Sequence, residues 1–443
     1  MVTYHSTRGS KKTVSFDEVI LSGVADDKGL YLPDSVTLGN LSHLTQEDLS
    51  YEDFVKTIFI ALDKSSAIYV DDLNLYPGFE ESPEPKLLDV DGSTIVMELF
   101  HGPTKSFKDY ALQPLGAIAN KRLEELSERG LVIVATSGDT GSAAIQAVKD
   151  SENIDIVVLH PKDKISEYQR KQMTTVIQPN VLNIAVEGTY DDCQRIAKEL
   201  LSTNPFARRI ISLNSINWLR VMGQLSYYVW LTKQFTSPIN VAIPSGNFGN
   251  AYSAWYGRKH GLPINEILCT TNVNDVLRRF IESGVLQPQK TQASLSPSMD
   301  IQIPSSLERL IFDLLGDTTN FYKDLYDTDS SALSDAAVGR LQSIFSSTTY
   351  LDSDIQDSIK HIYDTYGVIV DPHSITAVTM ALHHKSSIPT VAVATASPEK
   401  FSSVVAPLVK EFEVISIEGD EASTECSSEI TNVVEAISAY FSL

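Results

Sequence analysis

The sequence predicts an α/β fold with largely parallel sheets, on three observations. From about residue 90 onward, short apolar runs rich in β-branched residues alternate with segments of helical spacing. This alternation is typical of β-α-β units, which place helices on the faces of a parallel sheet. Three of the predicted strands also lead into loops rich in glycine and hydroxyl side chains, at the strand ends where such folds bind ligands.

Each predicted strand is a short apolar run with a polar or glycine-containing segment after it. We expect helices between consecutive runs, because the intervening residues have a helical spacing of apolar positions. The predicted strands are residues 94–100, 131–135, 154–160, 181–186, 239–243, 267–270, 390–394 and 414–417.

The first 92 residues are predicted to form an N-terminal cap domain. Ser15 and Glu18 have the spacing of a capping box, and Val14 and Val19 that of a hydrophobic staple, so a helix should begin after Ser15. The later patterns predict, in order, a turn at 26–29, a short strand at 30–33, helical structure within 41–75 and a proline-rich loop at 77–85.

Composition excludes several classes of function. The chain of 443 residues carries 35 basic and 57 acidic residues, and this net charge of -22 argues against nucleic acid or anionic membranes as partners. Its three cysteines, Cys193, Cys269 and Cys426, have no metal-ligand spacing and suggest a reducing compartment, so no metal is predicted. No apolar run has the length of a membrane span and the N-terminus lacks a signal-peptide core, so we expect a cytoplasmic protein.

Lys108 is the strongest candidate for a catalytic residue. The predicted strand at 94–100 is broken by His101, Gly102 and Pro103, and a helix pattern begins near Asp109. A lysine held at the start of a helix and partly desolvated loses its charge more easily, which makes its amine a nucleophile toward an aldehyde. A solvated surface lysine is the alternative, so the case depends on the residues around it.

The first of the three loops joins the strand at 131–135 to a helix pattern. Its small side chains and backbone N–H groups can bind a carboxylate or a phosphate at the helix N-terminus. Its sequence, Asp139-Thr140-Gly141-Ser142, also matches the aspartic-protease signature, but that chemistry needs two carboxylates and the chain has no second Asp-Thr-Gly. A plain strand-to-helix turn remains an alternative. The candidate residues are Thr136, Ser137, Gly138, Asp139 and Thr140.

The second loop follows the strand at 239–243 and precedes a helix expected to end near Gly261. Its two glycines lie three residues apart, which lets successive amides point toward a phosphate while the helix dipole adds positive charge. The loop lacks the lysine of a nucleotide-binding P-loop, so a monophosphate fits best, although a turn without a ligand stays possible. Its residues are Ser245, Gly246, Asn247, Phe248, Gly249 and Asn250.

The third loop follows the strand at 390–394. Thr395 should lie at the strand tip, and Ser397 and Pro398 should be the N-cap and first residue of a helix. Asp371-Pro372-His373 similarly starts a helix, and we interpret His373 as a structural histidine.

Together these segments resemble the threonine synthase family, in its bacterial and fungal branch, within the tryptophan-synthase-β group of pyridoxal-phosphate enzymes. The resemblance spans nearly the whole chain in order. It includes Ser6-Thr7-Arg8-Gly9, residues 29–33, the Lys108 segment, the Asp139 loop, residues 172–175, residues 214–218, the Ser245 loop, Met299-Asp300-Ile301, Asp371-Pro372-His373 and Thr395-Ala396-Ser397-Pro398.

The resemblance implies a fold-type II pyridoxal-phosphate enzyme with open, mostly parallel sheets in two domains plus the N-terminal cap. It implies a larger cofactor-binding domain at 93–130 and 205–443 and a smaller substrate-binding domain at 131–204. The implied activity, a carbon-oxygen lyase of threonine biosynthesis, converts O-phospho-L-homoserine and water into L-threonine and phosphate.

The resemblance also implies a role for each loop. Lys108 would form the internal aldimine with pyridoxal 5'-phosphate, residues 245–250 would bind its phosphate, and Thr395 would face its ring nitrogen. The Asp139 loop would receive the substrate carboxylate. Lys105, Arg8 and Arg220 are candidate cations for the substrate phosphate.

Two departures from the family pattern occur. Ser397 stands where histidine is frequent in the family, and Asp139 stands where related folds use asparagine near the phenolic oxygen of the cofactor. The alternatives are a threonine-synthase-like phospho-lyase that releases 2-oxobutyrate, and a catalytically inactive relative that only binds ligands. As an assembly we expect a monomer or a homodimer.

Overall fold

The computed structural model describes residues 2–34 and 49–443. Its strands alternate with helices along most of the chain, as the sequence predicts. The strands are β1 (Tyr4–Ser6), β2 (Tyr31–Pro33), β3 (Lys86–Asp89), β4 (Thr94–Glu98), β5 (Gly130–Ala135), β6 (Ile154–Pro161), β7 (Val181–Glu187), β8 (Arg209–Ile211), β9 (Ile239–Pro244), β10 (Ile264–Thr271), β11 (Val285–Leu286), β12 (Ser331–Ala332), β13 (Phe345–Thr349), β14 (Thr390–Ala394) and β15 (Thr424–Ser427).

The helices cover the faces of the sheets and form the N-terminal region. They are α1 (Phe16–Leu21), α2 (Tyr51–Leu62), α3 (Ala67–Val70), α4 (Asp109–Leu126), α5 (Asp139–Val148), α6 (Glu167–Thr174), α7 (Tyr190–Thr203), α8 (Trp218–Lys233), α9 (Gly249–Lys259), α10 (Val276–Ser283), α11 (Leu307–Leu315), α12 (Thr319–Thr328), α13 (Asp335–Gln342), α14 (Asp352–Tyr366), α15 (Ser374–His383), α16 (Ser402–Val405) and α17 (Ile430–Phe441). Short 3-10 helices lie at Lys64–Ser66, Pro297–Met299 and Pro398–Phe401. In the described residues, no helix is both long and apolar enough to cross a membrane.

The larger sheet has six strands in the order β13-β10-β9-β14-β4-β3. All its pairings are parallel except that of the edge strand β3, which is antiparallel to β4. The central strands β9 and β14 are buried along their whole length, as expected for a sheet with helices on both faces.

The smaller sheet has five strands in the order β15-β7-β6-β5-β8, all parallel. Together the two sheets confirm the predicted α/β class with mostly parallel strands. The carboxyl ends of their strands carry the loops that the sequence marked as candidate ligand-binding segments.

The N-terminal segment folds as predicted where the structure describes it. Ser15 caps α1 with Glu18 as the reciprocal partner, and both Val14 and Val19 are buried. The helical structure predicted within 41–75 appears as α2 and α3, while residues 41–48 lie outside the described residues.

One predicted strand is wrong. Residues 414–417 form no regular element, and Val414 is 67% exposed, because this segment pairs with no strand of the described residues. The strand of this region is β15. It begins ten residues after Val414 and pairs with β7. The sequence analysis also missed β3, β8 and β13, whose short or polar runs have weak apolar patterns.

We propose the same three-part division of the chain with a change of boundary. Residues 205–443 were assigned to the larger domain, but β8 and β15 within that range pair with β5 and β7 of the smaller sheet. We therefore assign β8 and β15, with α17 packed on β15, to the smaller domain, and β3 of the predicted cap to the larger domain, since backbone pairing joins these strands to those sheets.

Candidate active site

A cavity of about 280 Å³ lies at the carboxyl ends of β9 and β14. Its wall combines segments that are distant in sequence, including the N-termini of α4, α5 and α9. The cavity brings together most of the residues predicted from the sequence, namely Lys108, Asp139, Thr140, Ser245, Gly246, Asn247, Phe248, Gly249, Asn250 and Thr395.

Backbone pairing places Lys108 beside Thr395. Ser106 forms an isolated antiparallel bridge with Ala396, and the Phe107 N–H donates to the Thr395 carbonyl at 2.9 Å. Lys108 is then the N-cap residue of α4, as the sequence predicted. After Lys108 the chain enters α4, a helix of 18 residues that is buried along most of its length.

The Lys108 amine is nearly buried and faces a carboxylate. Its side chain is 11% exposed, and Nζ lies 3.2 Å from Oδ2 of Asp139. Burial lowers the pKa of Lys108, and this effect outweighs the opposing attraction of Asp139. The amine is therefore biased toward its neutral, nucleophilic form.

Asp139 is held as a carboxylate by several donors. Lys400 Nζ lies 2.8 Å from its Oδ1, the Gln169 amide donates to the same oxygen at 2.9 Å, and the Ser298 hydroxyl donates to Oδ2 at 3.3 Å. Burial alone would raise the pKa of Asp139, but the charges of Lys108 and Lys400 reverse this and lower the pKa well below its usual range. Asp139 is thus ionised at neutral pH.

The loop from Ser245 to Asn250 has the form of an anion cradle. It ends at the N-terminus of α9, where the first N–H groups have no acceptor within the helix. Phe248 is the N-cap residue with φ of 68°, a left-handed conformation that turns the loop into the helix. At Gly246, a Cβ atom would lie 2.6 Å from the Ser298 carbonyl oxygen, so only glycine allows this close approach.

Asn250 offers an unused donor in the same cradle. Its Oδ1 accepts hydrogen bonds from the hydroxyls of Tyr227 and Tyr228, both at 2.6 Å, which fixes the orientation of the amide. Its buried Nδ2 then has no partner in the described part of the chain. A buried donor without a partner is costly, and a phosphate oxygen would satisfy it. The residues present therefore fit the phosphate group of pyridoxal phosphate.

The Asp139 loop meets the cavity only through its last two candidate residues, Asp139 and Thr140. Thr136 lies behind them, and its hydroxyl accepts the N–H groups of Gly138 and Gly141, both at 2.9 Å. Gly138 has φ of 134°, and a Cβ there would meet the Gln169 side chain at 2.4 Å. Thr136 and Gly138 thus shape the turn. The first turn of α5 offers the backbone N–H groups that could bind an anion.

Two other predicted features flank the cavity. Thr395 directly follows β14 and lines the wall, and its N–H donates to the Ser374 hydroxyl at 2.9 Å. His373 also borders the cavity, but both of its ring nitrogens are engaged, Nδ1 with Asp371 at 2.7 Å and Nε2 with the Ser298 N–H at 3.1 Å. These bonds are consistent with the structural role predicted for His373, which stays a prediction. Ser397 caps the 3-10 helix after Thr395, as predicted.

The three candidate cations for the substrate phosphate occupy different environments. Arg8 is paired with Glu308, and Lys105 with Glu399. Arg220 lines the cavity, and its Nε is buried without a hydrogen-bond partner in the described residues. Burial lowers the pKa of Arg220 to about 10, so its guanidinium stays charged at neutral pH.

Sequence reasoning missed Lys400, the residue that contacts Asp139 most closely. It lies in a polar segment after Pro398 and has the local pattern of a surface residue, yet its side chain is completely buried. No local signal distinguishes it. It could be found only from the position of Asp139 in space.

Comparisons with known proteins agree on one family. The model of the family described as "Pyridoxal-phosphate dependent enzyme" matches residues 81–395, and that described as "Threonine synthase N terminus" matches residues 3–74. The chain is 36% identical to a threonine synthase of Pseudomonas aeruginosa, over 91% of this chain and 89% of that relative. It is 34% identical to that of Saccharomyces cerevisiae, over 94% and 91%.

A solved structure extends this similarity to the fold. The crystal structure of threonine synthase from Brucella melitensis with bound pyridoxal phosphate has a TM-score of 0.90 and 30% sequence identity. The match covers 100% of both chains, so the cap region and both sheets are shared.

Proposed function

The chain belongs to the threonine synthase family of pyridoxal-phosphate-dependent enzymes, and we propose that it converts O-phospho-L-homoserine and water into L-threonine and phosphate at this cavity. The family gives the cofactor and the class of reaction, that of a lyase acting on a phosphate ester. The particular substrate and the role of each residue are our proposal.

The observation that carries the proposal is the position of the Lys108 amine. It is nearly buried at the N-terminus of α4 and lines the same cavity as the glycine loop before α9. Lys108 would attach the cofactor covalently, while residues 245–250 hold its phosphate through the α9 N-terminus and the Asn250 amide. The Thr395 hydroxyl would face the ring nitrogen.

When bound, pyridoxal phosphate withdraws electrons from the α carbon of the substrate and so makes its hydrogen acidic. Lys108, released as a neutral amine, would take the proton from the α carbon and move protons at the β carbon. The N-terminus of α5 at Asp139 and Thr140 would bind the substrate carboxylate with its backbone N–H groups. The γ carbon–oxygen bond would break to release phosphate, the γ carbon would take up a proton, and water would then add at the β carbon.

For the phosphate of the substrate, the geometry favours Arg220 over the other two cations. Arg220 lines the cavity and has an unused donor, whereas Arg8 and Lys105 are each paired with a glutamate. A guanidinium is suited to a phosphate because its donors match the phosphate oxygens in pairs. Lys105 remains in our proposal as a second cation, which would have to exchange Glu399 for the substrate because it does not line the cavity in the described residues.

The attachment site can be tested directly. Purified protein should be yellow, and borohydride reduction followed by peptide mass spectrometry should place the cofactor on Lys108 and on no other lysine. Lys108→Ala should abolish both the colour and the label. A label on Lys105 in the wild-type protein would overturn the assignment.

The reaction itself is tested by the products from O-phosphohomoserine. Threonine and 2-oxobutyrate arise after the same release of phosphate, so phosphate release alone does not distinguish a synthase from a phospho-lyase. We expect threonine as the main product, because a closed site protects the intermediate until water attacks. Mainly 2-oxobutyrate would assign the phospho-lyase reaction instead and leave the Lys108 assignment intact.

We further propose a cytoplasmic location and a monomeric or homodimeric state. Support for a reducing compartment comes from Cys193, Cys269 and Cys426, which are all buried free thiols. Size-exclusion chromatography with light scattering would determine the assembly.

A further inference from the structure

Three buried ionisable side chains are in contact at the cavity wall, with Asp139 between two lysines. The Lys108 amine is 3.2 Å from one oxygen of Asp139, and the Lys400 amine is 2.8 Å from the other. The side chains of Asp139 and Lys400 are 4% and 0% exposed. One carboxylate is therefore shared by two lysines in a region that excludes most water.

Lys400 is fixed behind the carboxylate and not in the cavity. It belongs to the 3-10 helix Pro398–Phe401, and its ammonium also donates to the Thr104 carbonyl at 2.8 Å. It does not occur in the cavity wall formed by the described residues, whereas Lys108 and Asp139 do. Any influence of Lys400 on the reaction must therefore act through its neighbours.

The sharing of one carboxylate has a consequence for the charge of Lys108. When Lys108 is protonated, the three groups carry a net charge of about +1, and when Lys108 is neutral they carry none. Without Lys400, a neutral Lys108 would leave Asp139 as a buried carboxylate with no cation in contact, which is strongly unfavourable. Lys400 thus removes the penalty for deprotonating Lys108.

The other titratable groups near these three do not replace Lys400. Arg220 faces Lys108 and also disfavours its charged form, and His373, whose ring nitrogens contact Asp371 and the Ser298 N–H, lies near Asp139. Asp109 and Lys105 lie near Lys400, but the Asp109 carboxylate accepts the N–H and hydroxyl of Thr104, at 2.9 and 2.7 Å. Among the described residues, only Lys108 and Lys400 form ion pairs with Asp139.

We propose that Lys400 is a positioning residue: its ammonium is a second counter-ion of Asp139 and so favours the neutral amine of Lys108, which can then attach the cofactor and take up protons. The proposal rests on the proposed function in so far as Lys108 is the attaching lysine. The alternative is that the bonds of Lys400 to Asp139 and to the Thr104 carbonyl serve only stability. Removal of Lys400 would then change the stability of the protein and leave the charge of Lys108 unchanged.

The test measures the protonation of Lys108 in the full chain freed of cofactor. The rate of acetylation of Lys108 by acetic anhydride, followed by peptide mass spectrometry against pH, gives the midpoint of its titration, with the exposed Lys385 as the reactivity reference. Lys400→Gln keeps hydrogen bonds toward Asp139 and Thr104 but removes the charge. We expect it to raise the Lys108 midpoint by about one pH unit or more.

Two further variants act as controls. Lys400→Arg keeps the positive charge and should keep the midpoint close to wild type, and Lys410→Gln removes an exposed lysine ten residues away and should not change it. A folded Lys400→Gln protein with an unchanged Lys108 midpoint would overturn the proposal. The visible spectrum of the holoenzyme should titrate in the same direction as the acetylation rate.

A second pair of variants keeps the test decisive if Lys400→Gln does not fold. Asp139→Asn is compared with the double variant Asp139→Asn/Lys400→Met, in which the buried pair is replaced by neutral groups. Removal of the nearby positive charge should again raise the Lys108 midpoint, and equal midpoints would refute an effect of Lys400. Acetylation is measured without cofactor, so it tests the effect of Lys400 on Lys108 alone. A borohydride label on another lysine would instead overturn the attachment site in the proposed function.

Discussion

At the scale of single residues, the site depends on where each side chain lies relative to the cavity wall. Lys108 and Lys400 are both buried lysines within contact of Asp139, yet only Lys108 lines the cavity. Gly246 and Gly249 likewise belong to one loop but differ in their surroundings. A Cβ at Gly246 would collide with the Ser298 backbone, whereas one at Gly249 would make ordinary contacts at 3.4 Å with Gln224 and Ser306.

This difference makes Gly249 the better probe of the phosphate cradle. Gly249→Asp places a carboxylate in the first turn of α9, which repels the cofactor phosphate but is favourable at a helix N-terminus in its absence. We expect pyridoxal phosphate affinity to fall at least about tenfold, or about 1.4 kcal/mol, with an unchanged unfolding midpoint of the cofactor-free protein. Gly249→Ala is the matched control and should bind more tightly than Gly249→Asp. Equal affinities of the two variants would show that the loop is only a turn.

Thr395 gives a second prediction at this scale. Thr395→Ala should leave the attachment of cofactor to Lys108 intact but slow turnover at saturating substrate, because the hydroxyl tunes the ring nitrogen and forms no covalent bond. Thr395→Ser keeps the hydroxyl and should recover most of the rate. If Thr395→Ala turned over as fast as wild type, Thr395 would have no role in the reaction.

At the scale of elements, α4 positions Lys108 because this helix packs between two neighbouring helices. It packs against α5 on one side and α8 on the other, and its buried residues extend from Asp109 to Leu123. Its contact with α8 is close because Gly223 of α8 has no side chain, and a Cβ there would lie 2.8 Å from the Cα of Ala111. The position of Lys108 therefore depends on backbone packing three residues away.

Gly223→Ala tests this packing. The added methyl must separate α8 from α4, and we expect the free energy of unfolding to fall by about 2 kcal/mol, with weaker cofactor attachment at Lys108. The matched control is Gly339→Ala in α13, where no neighbouring atom of the described residues lies within 4 Å of the added Cβ. That change should stabilise by about 0.5–1 kcal/mol, since alanine is the better helix former. Chemical denaturation of both variants measures the contrast, and a Gly223→Ala protein as stable as wild type would contradict it.

At the scale of the whole molecule, the active site is formed where loops of the two parallel sheets meet. The larger sheet contributes the phosphate cradle and Thr395, and the smaller sheet contributes Asp139 on the loop after β5. His160, at the end of β6, is buried in the smaller sheet beside that loop, and neither ring nitrogen reaches a hydrogen-bond partner in the described chain. Burial lowers the pKa of His160, and the nearby Pro161 backbone only partly opposes this.

The stability of the molecule should therefore depend on pH through His160. The imidazole has a folded pKa below its unfolded value of about 6.5, so it binds fewer protons when the protein is folded. Its contribution to the free energy of unfolding is therefore fully present above that pH and is lost as the pH falls below it. His160→Leu should raise the free energy of unfolding more at pH 5 than at pH 8. The same change at exposed His361 should show no such difference. Denaturation at both pH values measures this, and a pH-independent effect of His160→Leu would contradict the prediction.

The sequence by itself determined the alternation of strands and helices that makes the fold α/β, and it marked the three loops that contribute to the cavity wall. These features are local: apolar periodicity marks the strands, and glycine and hydroxyl residues at their ends mark the turns into helices. The position of Lys108 at a helix N-terminus could also be predicted from the sequence, because the break at His101–Pro103 and the following helix pattern are adjacent in the chain. The failure at 414–417 has the same origin, since a local apolar run does not reveal whether a neighbouring strand exists.

Only the tertiary structure decided which charges meet. The sequence offers Arg220 as one of three candidate cations, and only the structure shows that it lines the cavity with its Nε lacking a hydrogen-bond partner among the described residues, while Lys400 has no local pattern that marks it. The protonation of Asp139 was undetermined in the sequence because it depends on burial and on two lysines brought to it by separate loops. Desolvation and Coulomb interactions are set by distances in space, and no periodicity of the chain encodes these distances.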